Sequence, residues 1–565
     1  MGSMLACSPK PPLWALRHVG FWLVNLLLLL ESRVPRWLAR QWANALSLVV
    51  GAALVGCIAL EEMRLHAATY GAVSDYWEHG AVMHALLANP WHPSNPHLVS
   101  PASSPRFGPL SVLFALLARS AKLDAQAALS VVAVVNVALF VIAIWWFFRT
   151  YFRDTRAGLY GLLVMLCSSW EAWTFTSVYQ PKVLLSVACY PWLSAFALTL
   201  LGLTLELKVL HRPRPRWWEY LGLVSMVSVV FLTHQVTAMM ALAAHFLLAL
   251  TEPEVPSSRR AAVAFTAVAG CALASFWPYF SVWKILAGGQ HDAGWVGQSI
   301  QAAAQSPVLE PRHRFYALKE LMPALGLGLL GVVGLPYFFL RWRRLFVGLG
   351  VLAMLGPFVL NAFVPLPLGH RFILLAMFFL NVAVVWLLLA LTPGSPEFIR
   401  FLDRRWLRWV SSVIVAATLL TFTWHNIVRT EKEWNYFAGY ARRGLSPLVI
   451  YSQRVAEIAG EQSVILGDTL TLWPIPTFGP KVVALRHENP LVPDQEERTY
   501  DADQFFSRRL SDAERRRIIE RYHVTHVIVK RDPNGWLRTF LDAHGQRARL
   551  PLGYALYTLT PPSAR

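Results

Sequence analysis

Residues 70–106 read YGAVSDYWEHGAVMHALLANPWHPSNPHLVSPASSPR, a polar stretch that follows the first long apolar run of the chain. It gathers Asp75, Glu78, His79, His84, His92, His97 and Arg106 beside Trp77 and Trp91. The sequence around it is dominated by apolar runs. Ionisable and aromatic groups concentrated next to a membrane need a reason, and a reactive polar substrate is one.

The surrounding sequence sets the class. The 565 residues are 55% hydrophobic, mean hydropathy is positive, and the apolar residues fall in repeated runs, which predicts a polytopic α-helical membrane protein. Spans are expected near 43–60, 125–148, 157–177, 183–205, 219–233, 235–251, 261–284, 321–340, 345–363, 372–391 and 410–428, about eleven in all. The pair 219–233 and 235–251 is short enough to be one helix kinked at Thr233-His234-Gln235. A run at 19–30 is followed by Glu31-Ser32-Arg33 where a cleavable leader would need small residues, and it reads as an uncleaved interfacial helix.

The net charge of +18 is an orientation signal, not a nucleic-acid footprint, because much of the excess lies in short loops. Arg33, Arg36 and Arg40, then Arg149, Arg153 and Arg156, then Arg212, Arg214 and Arg216, then Arg259 and Arg260, then Arg341, Arg343 and Arg344, then Arg400, Arg404, Arg405 and Arg408 fall in alternate loops. Those loops are expected to be cytoplasmic, with segment 61–124, the turn at Gln180-Pro181-Lys182, the 285–320 loop, the turn at His370-Arg371 and everything after about 429 on the other side. The five cysteines include no CxxC pair, so neither a disulfide framework nor a zinc site is indicated.

Three divisions follow: a cytoplasmic segment 1–42, a transmembrane domain 43–428 that includes the first large loop 61–124, and an extracytoplasmic domain 429–565. The last has mixed charge and short apolar strands at 464–466, 481–485, 526–529 and 554–559, with helices at 447–459, 512–522 and 535–543, so a small α/β domain is expected. Ser511 and Glu514 have capping-box spacing.

Within the first loop, Asp75 precedes a helical run at 81–87, and Asp75 with Glu78 fits a capping box. A desolvated carboxylate beside Trp77 and His79 also suits acceptance of a proton from an acceptor hydroxyl, and Glu78 or His79 could take that role instead. A divalent metal using His84 is a further reading, although the scattered histidines lack compact ligand spacing; no cofactor is expected. Cations on the same side, Arg106, Lys182, His370 and Arg371, suit a lipid-borne phosphate. His234 lies within an apolar run and reads as substrate-binding or as packing. His245 reads as structural.

Together, an acidic motif in the first large extracytoplasmic loop, about eleven spans, a late loop arginine and a C-terminal soluble domain resemble the GT-C superfamily of integral-membrane glycosyltransferases. Asp75-Tyr76-Trp77-Glu78-His79, Asn89-Pro90-Trp91 and Pro105-Arg106-Phe107-Gly108-Pro109 carry the likeness, with Gly467-Asp468, Gly479-Pro480-Lys481-Val482-Val483, Asn489-Pro490 and Arg521-Tyr522 in the tail. The resemblance implies transfer of a monosaccharide from a polyprenyl-phosphate donor to a glycan, lipid or protein acceptor at the extracytoplasmic face of a bacterial inner membrane. It gives Asp75, with Glu78, the catalytic role, Arg371 with His370, Arg106 and Lys182 the donor phosphate, and Trp77, His79 and His234 the substrate. No Asp-Asp or Asp-Glu pair is present, and the C-terminal domain lacks a Trp-Trp-Asp motif, which disfavours a sequon-reading enzyme. Many spans with embedded His and Arg also describe a transporter or flippase, and a scaffold is the third class.

Overall fold

The computed structural model describes residues 36–69, 75–168, 179–287, 325–340, 345–360, 372–393, 395–398, 404–442, 447–485, 489–530 and 535–560. The expected interfacial helix at 19–30 and the His370-Arg371 turn lie outside these residues. The chain divides into two compact units, one made of residues 1–61, 133–274 and 296–436, the other of 62–132, 275–295 and 437–565.

The first unit is helical. Among the described residues of the chain, five helices are long and apolar enough to cross a membrane: Gln41–Leu60, Ala125–Phe152, Pro191–His211, Phe372–Leu391 and Trp406–Lys432. Shorter apolar helices are Pro109–Ser120, Thr155–Cys167, Trp217–Thr233, Gln235–Thr251 and Leu345–Leu360. By length and composition these helices suit a polytopic membrane protein; among the described residues not all of the expected eleven spans are full-length helices.

Among the described residues three expected spans are interrupted, that at 321–340 giving Gly328–Val333 and Leu335–Leu340. The 183–205 run splits into Pro181–Val187 and Pro191–His211, because Pro191 has no N–H to continue a helix and suits the first turn of a new one. The carbonyls released at the break are met from a neighbouring helix: Asn136 Nδ2 donates to Ala188 O at 2.9 Å, while its Oδ1 accepts from Ser194 Oγ at 2.6 Å. Irregular backbone at membrane depth requires such internal partners. The 261–284 run ends as a helix at Ala274 and resumes at Val282, with Pro278 between.

At 217–251 there are two helices, not one kinked helix. His234 is extended (φ −155°, ψ 101°) and its Nδ1 accepts the Thr237 N–H at 3.2 Å, capping the second helix. Trp217–Thr233 packs closely on Ser257–Ala274, since a Cβ at Gly270 would lie 2.9 Å from Val224 O.

The second unit carries a five-stranded sheet. In chain order the strands are β1 (Val464–Leu466), β2 (Lys481–Val482), β3 (His526–Lys530), β4 (Gly545–Arg549) and β5 (Tyr554–Leu559), arranged β2-β1-β3-β5-β4. β1 runs parallel to β2 and β3, whereas β3–β5 and β5–β4 are antiparallel. Alternating side chains separate two cores. Val464, Leu466, Val527, Val529 and Tyr557 pack with Phe505, Phe540 and Leu541 on one face. Ile465, Ile528 and Leu556 pack with Tyr451 and Val455 on the other, and Leu98 of the first loop joins them.

Candidate functional site

The Tyr76–Ala88 helix begins at Asp75 and buries Tyr76, Trp77, Glu78, Gly80, Ala81, Val82, Met83, Ala85 and Leu86. Apolar residues all round a helix require burial all round. One face is met by the 3₁₀ turn Ile475–Phe478: Thr477 Oγ1 donates to Trp77 O at 2.9 Å, and Trp77 packs against Phe478. Gly80 makes this approach feasible, because a Cβ there would fall 2.6 Å from Thr477 Cγ2.

The expected capping box at Asp75 does not form. Asp75 is already helical (φ −75°, ψ −13°) and its side chain makes no capping bond to this helix, since reaching the next N–H groups normally needs an extended cap residue. Glu78, the other half of that box, is instead paired with Arg106 while only 3% exposed. A buried carboxylate demands such a partner. Asp75 stays half-buried at the helix start, and the spacing puts Asp75, Glu78 and His79 on one face.

Beyond the helix, Asn89 Oδ1 accepts from the Trp91 and His92 N–H groups, and Asn95 Oδ1 from those of His97 and Leu98, so the loop turns twice on Asx geometry. Ser104 Oγ accepts the Arg106 N–H at 3.2 Å and Ser104 O that of Phe107, forming the turn that carries Arg106.

Remaining loop carbonyls are held from distant segments. Lys481 Nζ donates to Asn95 O at 2.7 Å and Pro96 O at 3.2 Å, and Val482 N donates to His97 O at 2.8 Å. Asn489 Nδ2 donates to Ser103 O at 2.9 Å and Arg498 Nη2 to Val99 O at 3.2 Å. Trp277 Nε1 reaches Phe107 O at 2.8 Å, and the Tyr279 hydroxyl reaches Pro90 O at 2.6 Å.

A small indentation of about 10 Å³ opens here, lined by Glu78, His97, Ser104 and Arg106 of the loop and by Trp473, Leu485 and Asn489 of the C-terminal segment. Within it the opposite charges of Glu78 and Arg106 are paired. Behind it, burial lowers Lys481 to about 8, and His84 is held below the ordinary histidine value chiefly by burial, with Glu461 opposing and Lys481 reinforcing the shift.

The named residues separate as follows. Asp75, Trp77, Glu78, His79 and Arg106 belong to one compact unit, with Glu78 and Arg106 in direct contact. Trp77 is 2% exposed and packs within that unit. Lys182 sits in the first turn of Pro181–Val187 and His234 caps Gln235–Thr251, both in the other unit. His370 and Arg371 lie outside the described residues. Among the described residues no three His, Cys, Asp or Glu side chains converge as metal ligands. Lys481, Asn489 and Arg498 hold the first loop; Lys481 and Asn489 stand in the tail motifs, but nothing local in the sequence ties them to carbonyls nearly 400 residues earlier.

No family model matches the sequence, and no curated protein matches it significantly. Solved structures do resemble it. The oligosaccharyltransferase of Archaeoglobus fulgidus in its apo form aligns with 91% of this chain and 74% of its own at 13% identity, with a TM-score of 0.52. The same enzyme tethered to an acceptor peptide containing the NVT sequon aligns over 93% and 75% at 11% identity, TM-score 0.52. ArnT of Cupriavidus metallidurans, bound to undecaprenyl phosphate, aligns over 92% and 98% at 11% identity, TM-score 0.51. Similarity spread over nine-tenths of the chain is similarity of architecture, and the protein therefore shares the fold of these solved structures.

Proposed function

We propose that this protein is a membrane glycosyltransferase that moves a monosaccharide from a polyprenyl-phosphate donor to an acceptor hydroxyl of a cell-envelope glycan, lipid or protein, at the extracytoplasmic face. The observation that carries the reading is the first-loop acidic helix, with Asp75 half-buried at its start and Glu78 joined to Arg106 one turn on, in a fold shared with a protein that binds undecaprenyl phosphate.

The acceptor oxygen attacks the anomeric carbon as its proton passes to the Asp75 carboxylate. The bond from that carbon to the phosphate oxygen breaks, and the electron pair leaves with the polyprenyl phosphate. Attack opposite the leaving group inverts the anomeric configuration. Arg106, in the same unit as Asp75, is the cation proposed to stabilise charge on the departing phosphate. The alternation of arginine-rich loops supports the extracytoplasmic placement, and the absence of a Trp-Trp-Asp motif argues for an acceptor other than a sequon.

The test uses full-length protein in lipid nanodiscs, a radiolabelled polyprenyl-phosphate sugar and envelope glycan fractions as acceptors. Asp75→Asn is expected to lower kcat by about 10²–10⁴ without changing the fold. Full activity of Asp75→Asn removes the base assignment, and accumulation of substrate in sealed vesicles without a new glycosidic bond replaces transfer with transport.

A further inference from the structure

We propose that Glu78 and Asn489 are positioning residues for Arg106: Glu78 aims the guanidinium, and Asn489, reaching from the C-terminal segment, fixes the turn on which it stands. The inference rests on the reading of Arg106 as a cation for the donor phosphate.

Glu78 is a poor candidate for the reacting base. Its carboxylate is almost fully buried and engaged with Arg106, and taking up a proton would leave the guanidinium beside a neutral acid in a desolvated setting. The same pairing makes it an effective orienting group. Arginine is a flexible side chain with a rigid planar end; contact on one edge removes its rotational freedom while the side chain remains 31% exposed.

The backbone beneath is fixed on both flanks. On the N-terminal side, Ser103 O accepts from Asn489 Nδ2. Asn489 is itself held, its N–H donating to Gln495 Oε1 at 2.9 Å and its Oδ1 accepting from Leu491 N at 3.0 Å. On the C-terminal side, Phe107 O accepts from Trp277 Nε1. Between them the Ser104 hydroxyl bonds the Arg106 N–H. Asn489 also lines the indentation that Arg106 enters, and it is 5% exposed. Three separate stretches of chain thus converge on one short turn, which is the arrangement needed to hold a charged group ready before the substrate arrives. The C-terminal domain then serves the donor side of the site and is more than an acceptor platform.

The experiment measures binding of undecaprenyl phosphate, without sugar, to full-length protein in nanodiscs, together with KM and kcat for transfer. Glu78→Gln and Asn489→Asp are each expected to weaken lipid-phosphate binding and raise KM about tenfold, as Arg106→Ala does. The double variant Glu78→Gln/Arg106→Ala should bind no more weakly than Arg106→Ala alone, because Glu78 acts only through the guanidinium. Glu78→Asp, which keeps the charge, should recover most of the affinity. Asp75→Asn should lower kcat and leave lipid-phosphate binding unchanged, which separates the two roles. Wild-type affinity in both Glu78→Gln and Asn489→Asp, or additive losses in the double variant, overturns the positioning role while the proposed transfer stands. No saturable binding by the wild type overturns the phosphate reading and the inference with it. If Glu78→Gln fails to fold, Asn489→Asp carries the measurement by itself.

Discussion

Replacing Gly80 with alanine tests how the first loop is joined to the C-terminal segment. The new Cβ would lie 2.6 Å from Thr477 Cγ2, 2.7 Å from its Oγ1 and 3.2 Å from its Cβ. Rotating Thr477 does not relieve the overlap, because threonine is branched at Cβ and its hydroxyl is committed to Trp77 O. The helix and the 3₁₀ turn must therefore separate. Overpacking of this kind costs about 1–3 kcal/mol, and losing the Thr477 bond adds about 1 kcal/mol. Alanine returns about 1 kcal/mol through its higher helix propensity. The net local destabilisation is about 2 kcal/mol, or roughly a 30-fold loss of amide protection.

Hydrogen exchange on full-length protein, followed by mass spectrometry of peptides covering Tyr76–Ala88 and Ile475–Phe478, measures it directly. Both peptides should lose protection together, and peptides from Phe372–Leu391 should not change. Thr477→Ser removes the methyl at 2.6 Å, so it should restore part of the protection when combined with Gly80→Ala although it weakens the wild type. Protection in Gly80→Ala within a factor of two of wild type, or no recovery in the double variant, would refute the close-packing argument.

Other consequences are open to measurement. Lys481 falls from an ordinary lysine's 10.5 to about 8 through burial, so the unfolded chain holds the extra proton between those values and stability rises with pH across that window, by about 3 kcal/mol at most. Thermal unfolding of the full chain from pH 7.5 to 10.5 should show this rise, and Lys481→Met should flatten it; equal slopes dismiss the assignment. Asn136→Leu removes both the donor to Ala188 O and the acceptor of Ser194, and should destabilise the protein in detergent by about 1–3 kcal/mol. An unchanged melting temperature would mean the break after Val187 holds without it. Ser511→Ala deletes the acceptor of the Glu514 N–H at 3.3 Å, so the Asp512–Arg521 helix should exchange about fivefold faster, with neighbouring β3 unaffected.

The parts legible in the sequence are those encoded by neighbouring residues. The Ser511–Glu514 capping box forms as its spacing predicts, strands at Val464–Leu466 and Tyr554–Leu559 follow their apolar runs, and uninterrupted apolar stretches become the helices Ala125–Phe152 and Phe372–Leu391. Strand β4 reads GQRAR and is largely exposed, so it offers no apolar run; its backbone pairing with β5 makes it a strand. The helix Gln495–Phe505 is similarly polar. Breaks at Pro191 and Pro278 were hidden because hydropathy averages over the window in which one proline acts.

At the site the same division holds. Composition and hydropathy pointed to the apolar helices and to the polar first loop with its candidate residues, because hydropathy and charge are properties of local sequence. Whether Glu78 would cap a helix or bind Arg106 was decided only by folding, since Asp75 and Glu78 satisfy the spacing of a capping box equally well. The partners of the loop carbonyls, Lys481, Asn489 and Arg498, lie almost 400 residues away. Their contribution exists only once the sheet has formed beside the loop, because a buried carbonyl accepts from whichever donor the packing brings within reach.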